Sequence, residues 1–95
     1  MTKEDYFELA VNAFGDDKLD EAIEQYQKAL EIDSNYQDAL HGLGMALFNR
    51  GRVDEAIVVA KKLIEKVGDV HLAHEILDAC ANLQSNIDLD DDVPF

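Results

Sequence analysis

Apolar residues recur at helical spacing through most of this chain. In the first stretch Phe7, Val11 and Phe14 fall at i, i+4 and i+7, beside a second apolar stripe of Tyr6, Leu9, Ala10 and Ala13. The spacing predicts helices over about 3–14, from Asp17 or Lys18 to about Ile32, over 37–49, over 53–66 and over 70–84. Gly15-Asp16-Asp17, Asp33-Ser34-Asn35, Arg50-Gly51 and Val67-Gly68-Asp69 separate them, and Gly51 suits a left-handed helix end. Asp33-Ser34-Asn35 is expected to cap the third helix. In the fifth, Ala73, Ile76, Leu77, Cys80 and Leu83 trace one face. Sustained period-two alternation is missing, as are Asn-Gly and Asp-Gly hairpin signals.

The pattern repeats. Asp20-Glu21-Ala22-Ile23 returns as Asp54-Glu55-Ala56-Ile57, 34 residues later. Leu9 then aligns with Leu43, Ala10 with Gly44 and Phe14 with Phe48. A period of this length fits a helix–turn–helix unit that cannot bury its apolar face alone and stacks on a copy of itself. Such units hold partners and rarely do chemistry.

Charge narrows the partner. The chain of 95 residues carries 21 acidic side chains against 8 basic, a net charge of −13. Phosphate binding needs a cationic surface, so nucleic acid is disfavoured, and an anionic membrane for the same reason. The N-terminal Met1-Thr2-Lys3-Glu4-Asp5 lacks the apolar core of a secretory signal, and no apolar run approaches spanning length. Cys80, the single cysteine, lies in an apolar helical stretch and is expected to pack. Together these features point to a cytoplasmic protein. His71, His74 and Asp78 share one helix, but no closed ligand set accompanies them, so no metal or other cofactor is expected. No nucleophile–base constellation or phosphate-binding loop is present, and an enzyme is not expected.

Over about residues 3–84 the chain resembles the tetratricopeptide repeat family. The family's first-helix sites hold Tyr6, Leu9, Ala10 and Ala13, then Leu40, Leu43, Gly44 and Leu47. Its second-helix sites hold Ala22, Tyr26 and Ala29, then Ala56, Ala60 and Leu63. The resemblance implies an all-α, right-handed superhelical stack of antiparallel helix pairs with five helices. Its domain would cover residues 1–84, as repeats over about 3–36 and 37–70 and a capping helix over about 70–84. Residues 85–95 would form an acidic flexible tail. Small residues let helices approach closely, so Ala10 and Gly44 are expected to meet Ala22 and Ala56. Ser34 and Gly68 stand where the family has proline, and Asp78 stands at the site of Ala10 and Gly44, which suits a helix with no following partner.

In that architecture Phe7, Val11 and Phe14, then His41, Met45 and Phe48, line a concave face. Glu75, Ala79 and Asn82 continue it on the fifth helix. A helix apolar on two sides is buried on both or binds something. The expectation is a non-catalytic adaptor that holds a helical or extended protein segment in this groove. The alternative is a self-assembly module pairing copies of the chain through groove or tail, a homo-oligomer. The family's basic clamp for a carboxylate-ended peptide is not matched, because its positions here are mostly apolar or acidic: Glu4, Glu8, Asp38, Gly42 and the groove residues just named. The acidic C-terminus of a chaperone is therefore not the expected ligand.

Overall fold

Five helices follow one another: α1 (Lys3–Gly15), α2 (Leu19–Ile32), α3 (Gln37–Asn49), α4 (Val53–Lys62), a single π-helical turn (Leu63–Val67) and α5 (Val70–Asp92). The structure is a computed structural model that describes the backbone of residues 1–92 and the side chains of residues 1–81. Among the described residues there is no strand, and the fold is all-α.

Each helix boundary has a local cause. Thr2 and Asp5 form a reciprocal capping box at α1, with Thr2 Oγ1 accepting from the Asp5 amide (3.2 Å) and Asp5 Oδ2 accepting from the Thr2 amide (2.9 Å). These bonds hold the Asp5 carboxyl below its ordinary range. The chain leaves α1 through Asp17 in the left-handed region (φ 62°), and its repeat-mate Gly51 does the same after α3 (φ 88°). Aspartate tolerates that conformation better than most residues. The expected cap of α3 is different: Asp33 Oδ1 accepts from the Asn35 amide (3.1 Å), closing a turn, and Tyr36 stands at the helix start without a side-chain cap. Asp69 Oδ1 accepts from the Leu72 amide (3.0 Å) and holds the first turn of α5.

The fourth helix widens where a plain α-helix was expected. The wider i→i+5 turn runs over Leu63–Val67, with Leu63 fully buried and Val67 packed at the edge of the core. Gly68 then closes the segment at φ 78°.

Packing follows the repeat register. Ala39, Leu43 and Ala46 of α3 are buried on the side facing the preceding unit, and so are Ala73 and Cys80 of α5, with Leu77 half-buried. The same positions in α1 are Asp5, Leu9 and Asn12, all exposed. Among the described residues nothing packs over them, and Leu9, expected on the inward stripe, is 44% exposed while Leu43 is 6% exposed. Polar Asp5 and Asn12 fit that open end.

A second expectation is extended. Gly44 is buried, and the side chain its missing Cβ makes room for is Ile76 of α5, beyond the expected approach to Ala56. Gly42 serves Tyr26 in the same way, its Cβ direction running 2.4 Å from the ring's Cζ. The Gly42-x-Gly44 pair thus admits one large side chain from each neighbouring unit. Asp78 is exposed where Ala10 and Gly44 are buried.

The fifth helix runs eight residues past its expected end near 84, into the stretch read as a flexible tail. Nothing between Ser85 and Asp92 breaks a helix, since glycine and proline are absent until Pro94. The side chains of Asn82, Leu83 and Leu89, and the whole of Val93, Pro94 and Phe95, lie outside the described residues.

Candidate functional site

The first helices of successive units form one face, because α1 touches α3 and α3 touches α5. Side chains four apart on each helix align along it. On α1 these are Phe7 and Val11, with Phe14 one turn on. On α3 they are His41 and Met45, then Phe48. Val11 is 43% exposed, and Phe7, Phe14, His41, Met45 and Phe48 are half-buried. All but Val11 and His41 rest an edge on the core while keeping surface outside it.

Phe7 is the most engaged of the six. Its ring lies 5.9 Å from Tyr26 and 5.6 Å from Tyr36, both tilted, in the range where aromatic pairs attract. Tyr26 is buried and its phenol is pushed up by burial. Tyr36 is half-buried, and Lys3 Nζ sits 4.9 Å from its ring centre. Lys3 is held there by Asp33 at 2.6 Å, a bond that raises Lys3 and lowers Asp33 from their ordinary values. Burial raises the Tyr36 phenol first; Glu4 and then Asp38 add to this, Lys3 opposes it, and Asp33 contributes least.

At the other end of the face His41 Nε2 meets Glu75 Oε2 at 2.9 Å, joining α3 to α5. Tyr26 and Tyr36 were not among the residues that spacing assigned to the groove. Tyr26 belongs to a second helix and reaches the face only because Gly42 leaves space. Tyr36 precedes α3 by one residue, outside its periodic run. The signal that could have found them is the presence of three large aromatics, Phe7, Tyr26 and Tyr36, within the first repeat.

Other features lie elsewhere. Arg50 Nε bonds Asp20 Oδ1 at 2.9 Å across the two repeats, beside a depression of about 440 Å³ lined by Asp17, Lys18, Leu19 and Glu21. At the open end of α1, Leu9, Asn12, Ala13 and Gln25 border a depression of about 330 Å³, and Gln25 Oε1 is buried there without a hydrogen-bond partner. Cys80 is buried and its thiol is pushed up by burial, which disfavours the reactive thiolate. Among the described residues no three His, Cys, Asp or Glu side chains gather as a metal site, and no helix is long and apolar enough to cross a membrane.

A family model described as tetratricopeptide repeat matches residues 13–82. Among curated proteins, the Protein STIP1 homolog of Dictyostelium discoideum is 29% identical over 69 residues, which make up 73% of this chain and 12% of that protein. The chain therefore spans a small part of that relative's length.

Proposed function

Since the chain belongs to the tetratricopeptide repeat family, we propose that it is a non-catalytic adaptor whose concave face binds a helical or extended segment of another protein. The family supports a protein–protein interaction module in general. The observation that carries the groove is the second apolar stripe. Phe7, Val11, Phe14, Met45 and Phe48 lie along one face of neighbouring helices yet keep part of their surface outside the core. A helix apolar on two sides is buried on both or binds something, and this stripe is only partly buried. Met45 gives that surface adaptability, since a thioether chain repacks easily. The face holds no lysine or arginine except Lys3, which Asp33 already engages, so a carboxylate-ended peptide lacks its clamp.

Val11→Ser with Met45→Ser tests this reading. Both side chains sit at the surface of the face, so melting should change little while cross-linked capture of a protein partner in the source cell is lost. Capture that survives the double change would count against the groove.

The self-assembly reading has one observation in its favour, and it lies at the open end of α1. Leu9 is uncovered, as a surface awaiting another helix would be. Under that reading Leu9→Lys reduces particle mass in concentration-dependent sedimentation. The adaptor reading has the wild-type chain monomeric throughout.

A further inference from the structure

The cations of this chain are distributed unevenly over the fold. Of its 8 lysines and arginines, only Lys3 belongs to α1, α3 or α5, the helices that make the concave face; the rest lie on α2, α4, the π turn and the connecting turns. That one lysine is neutralised by Asp33, and His41 is paired with Glu75. By helical position Glu4 and Asp38 flank the apolar stripe, and Glu8 stands between it and the open end, where it borders a depression with Leu9 and Asn12; all three are exposed and form no ion pair among the described residues. The apolar groove therefore has an acidic rim with no free lysine or arginine on its own helices. Lys3 shows what this corner does with a cation: its ammonium rests against the Tyr36 ring and a carboxylate together.

We propose that the occupant of the groove is a cationic amphipathic protein segment, its apolar side chains meeting Phe7, Val11 and Met45 and its lysines or arginines meeting Glu4, Glu8 and Asp38. The inference rests on the groove reading above and adds the partner's chemistry to it. Complementary charge at a rim steers encounter and suppresses wrong partners, while the apolar anchors supply affinity. An acidic segment would be repelled, and a neutral one would lose the rim contacts.

Three synthetic amphipathic peptides test it, alike in leucine spacing and carrying lysine and arginine, glutamine, or glutamate on the polar face. Fluorescence anisotropy with the full chain should rank the cationic peptide about ten-fold or more above the neutral one, with the preference shrinking in high salt. Glu4→Gln, Glu8→Gln and Asp38→Asn together should bring the cationic peptide down to the neutral one without moving the melting temperature. The same number of neutralisations on the second helices, at Glu24, Glu31 and Asp54, should leave the preference in place. If those convex changes remove it equally, overall charge is responsible and the proposal is overturned. It is overturned as well if the neutral or acidic peptide binds best. Should peptides bind with no cationic preference and be lost in Val11→Ser with Met45→Ser, the partner chemistry fails and the groove stands. Should no peptide respond to that double change, both fail.

Discussion

Gly42 and Gly44 show how much two missing side chains decide. Each leaves a space filled by one large residue of a neighbouring unit, Tyr26 on one side and Ile76 on the other. Filling such a space overpacks the core, so Gly44→Leu should destabilise by about 1–3 kcal/mol. A finer test uses Gly44→Ala, whose added carbon would stand 2.4 Å from Ile76 Cδ1. Alone it should destabilise. In an Ile76→Val background the Cδ1 methyl is gone while Cγ1 stays 3.0 Å from the added carbon, so the cost should shrink clearly. Equal effects in both backgrounds, measured by thermal melting, would show that Gly44 does not make room for Ile76. That a small residue was needed at position 44 was legible from the repeat. Its partner was not, because the unit that covers Gly44 is the third, where the repeat is incomplete and Asp78 breaks the pattern. Phe7 carries a similar lesson. Spacing assigns it to the proposed groove, and it also packs against Tyr26 and Tyr36. Truncating it would weaken folding and binding together, so Val11 and Met45 are the cleaner probes.

At the scale of the elements, hydrophobic period and breakers made the five helices legible, because each apolar run ends at a glycine or a cluster of aspartate, serine and asparagine. The π turn was not legible, since Leu63 and Val67 satisfy an α pattern equally well. Nor was the continuation of α5, where acidity suggested a tail but no residue stops the helix before Pro94. Gly15 and Gly68 separate two roles that look alike in sequence. Gly68 is left-handed, so Gly68→Ala should cost about 1–2 kcal/mol. Gly15 has an open Cβ direction and ordinary backbone, so Gly15→Ala should stabilise by about 0.5–1 kcal/mol. Chemical denaturation of both variants checks the contrast. The Lys3–Asp33 bridge ties the start of α1 to the end of α2 and gives a pH signature. Asp33 is lowered, so its contribution is present above the ordinary carboxylate value and is lost as pH falls through the depressed one. Lys3 is raised, so its contribution is present below the ordinary lysine value and is lost as pH rises through the raised one. The melting difference between wild type and Lys3→Met should therefore be largest between these limits and vanish in acid. A difference that persists unchanged in acid would assign it to the contact of the Lys3 ammonium with the Tyr36 ring.

For the whole molecule, the stack is short and its two ends are unlike. The α1 end exposes Leu9, while α5 presents exposed Asp78 at the other. Between them the first helices form a face that is apolar along its middle and acidic at its rim. The repeat and its stacking were written in the 34-residue period. The stripe of Phe7, Val11 and Phe14 was legible from its spacing, whereas the packing of Phe7 on the tyrosines and the pairing of His41 with Glu75 depend on contacts between helices that no single-helix pattern contains. The central claim is that this face is where a protein partner sits. Its most direct test is an amide chemical-shift map of the isotope-labelled full chain titrated with the cationic amphipathic peptide. The account predicts that the largest shifts cluster at Phe7, Val11, His41, Met45 and Glu75, with Val58 on the convex side of α4 unmoved. Shifts centred on Val58, or on Leu9 and Gln25 at the open end, would contradict it.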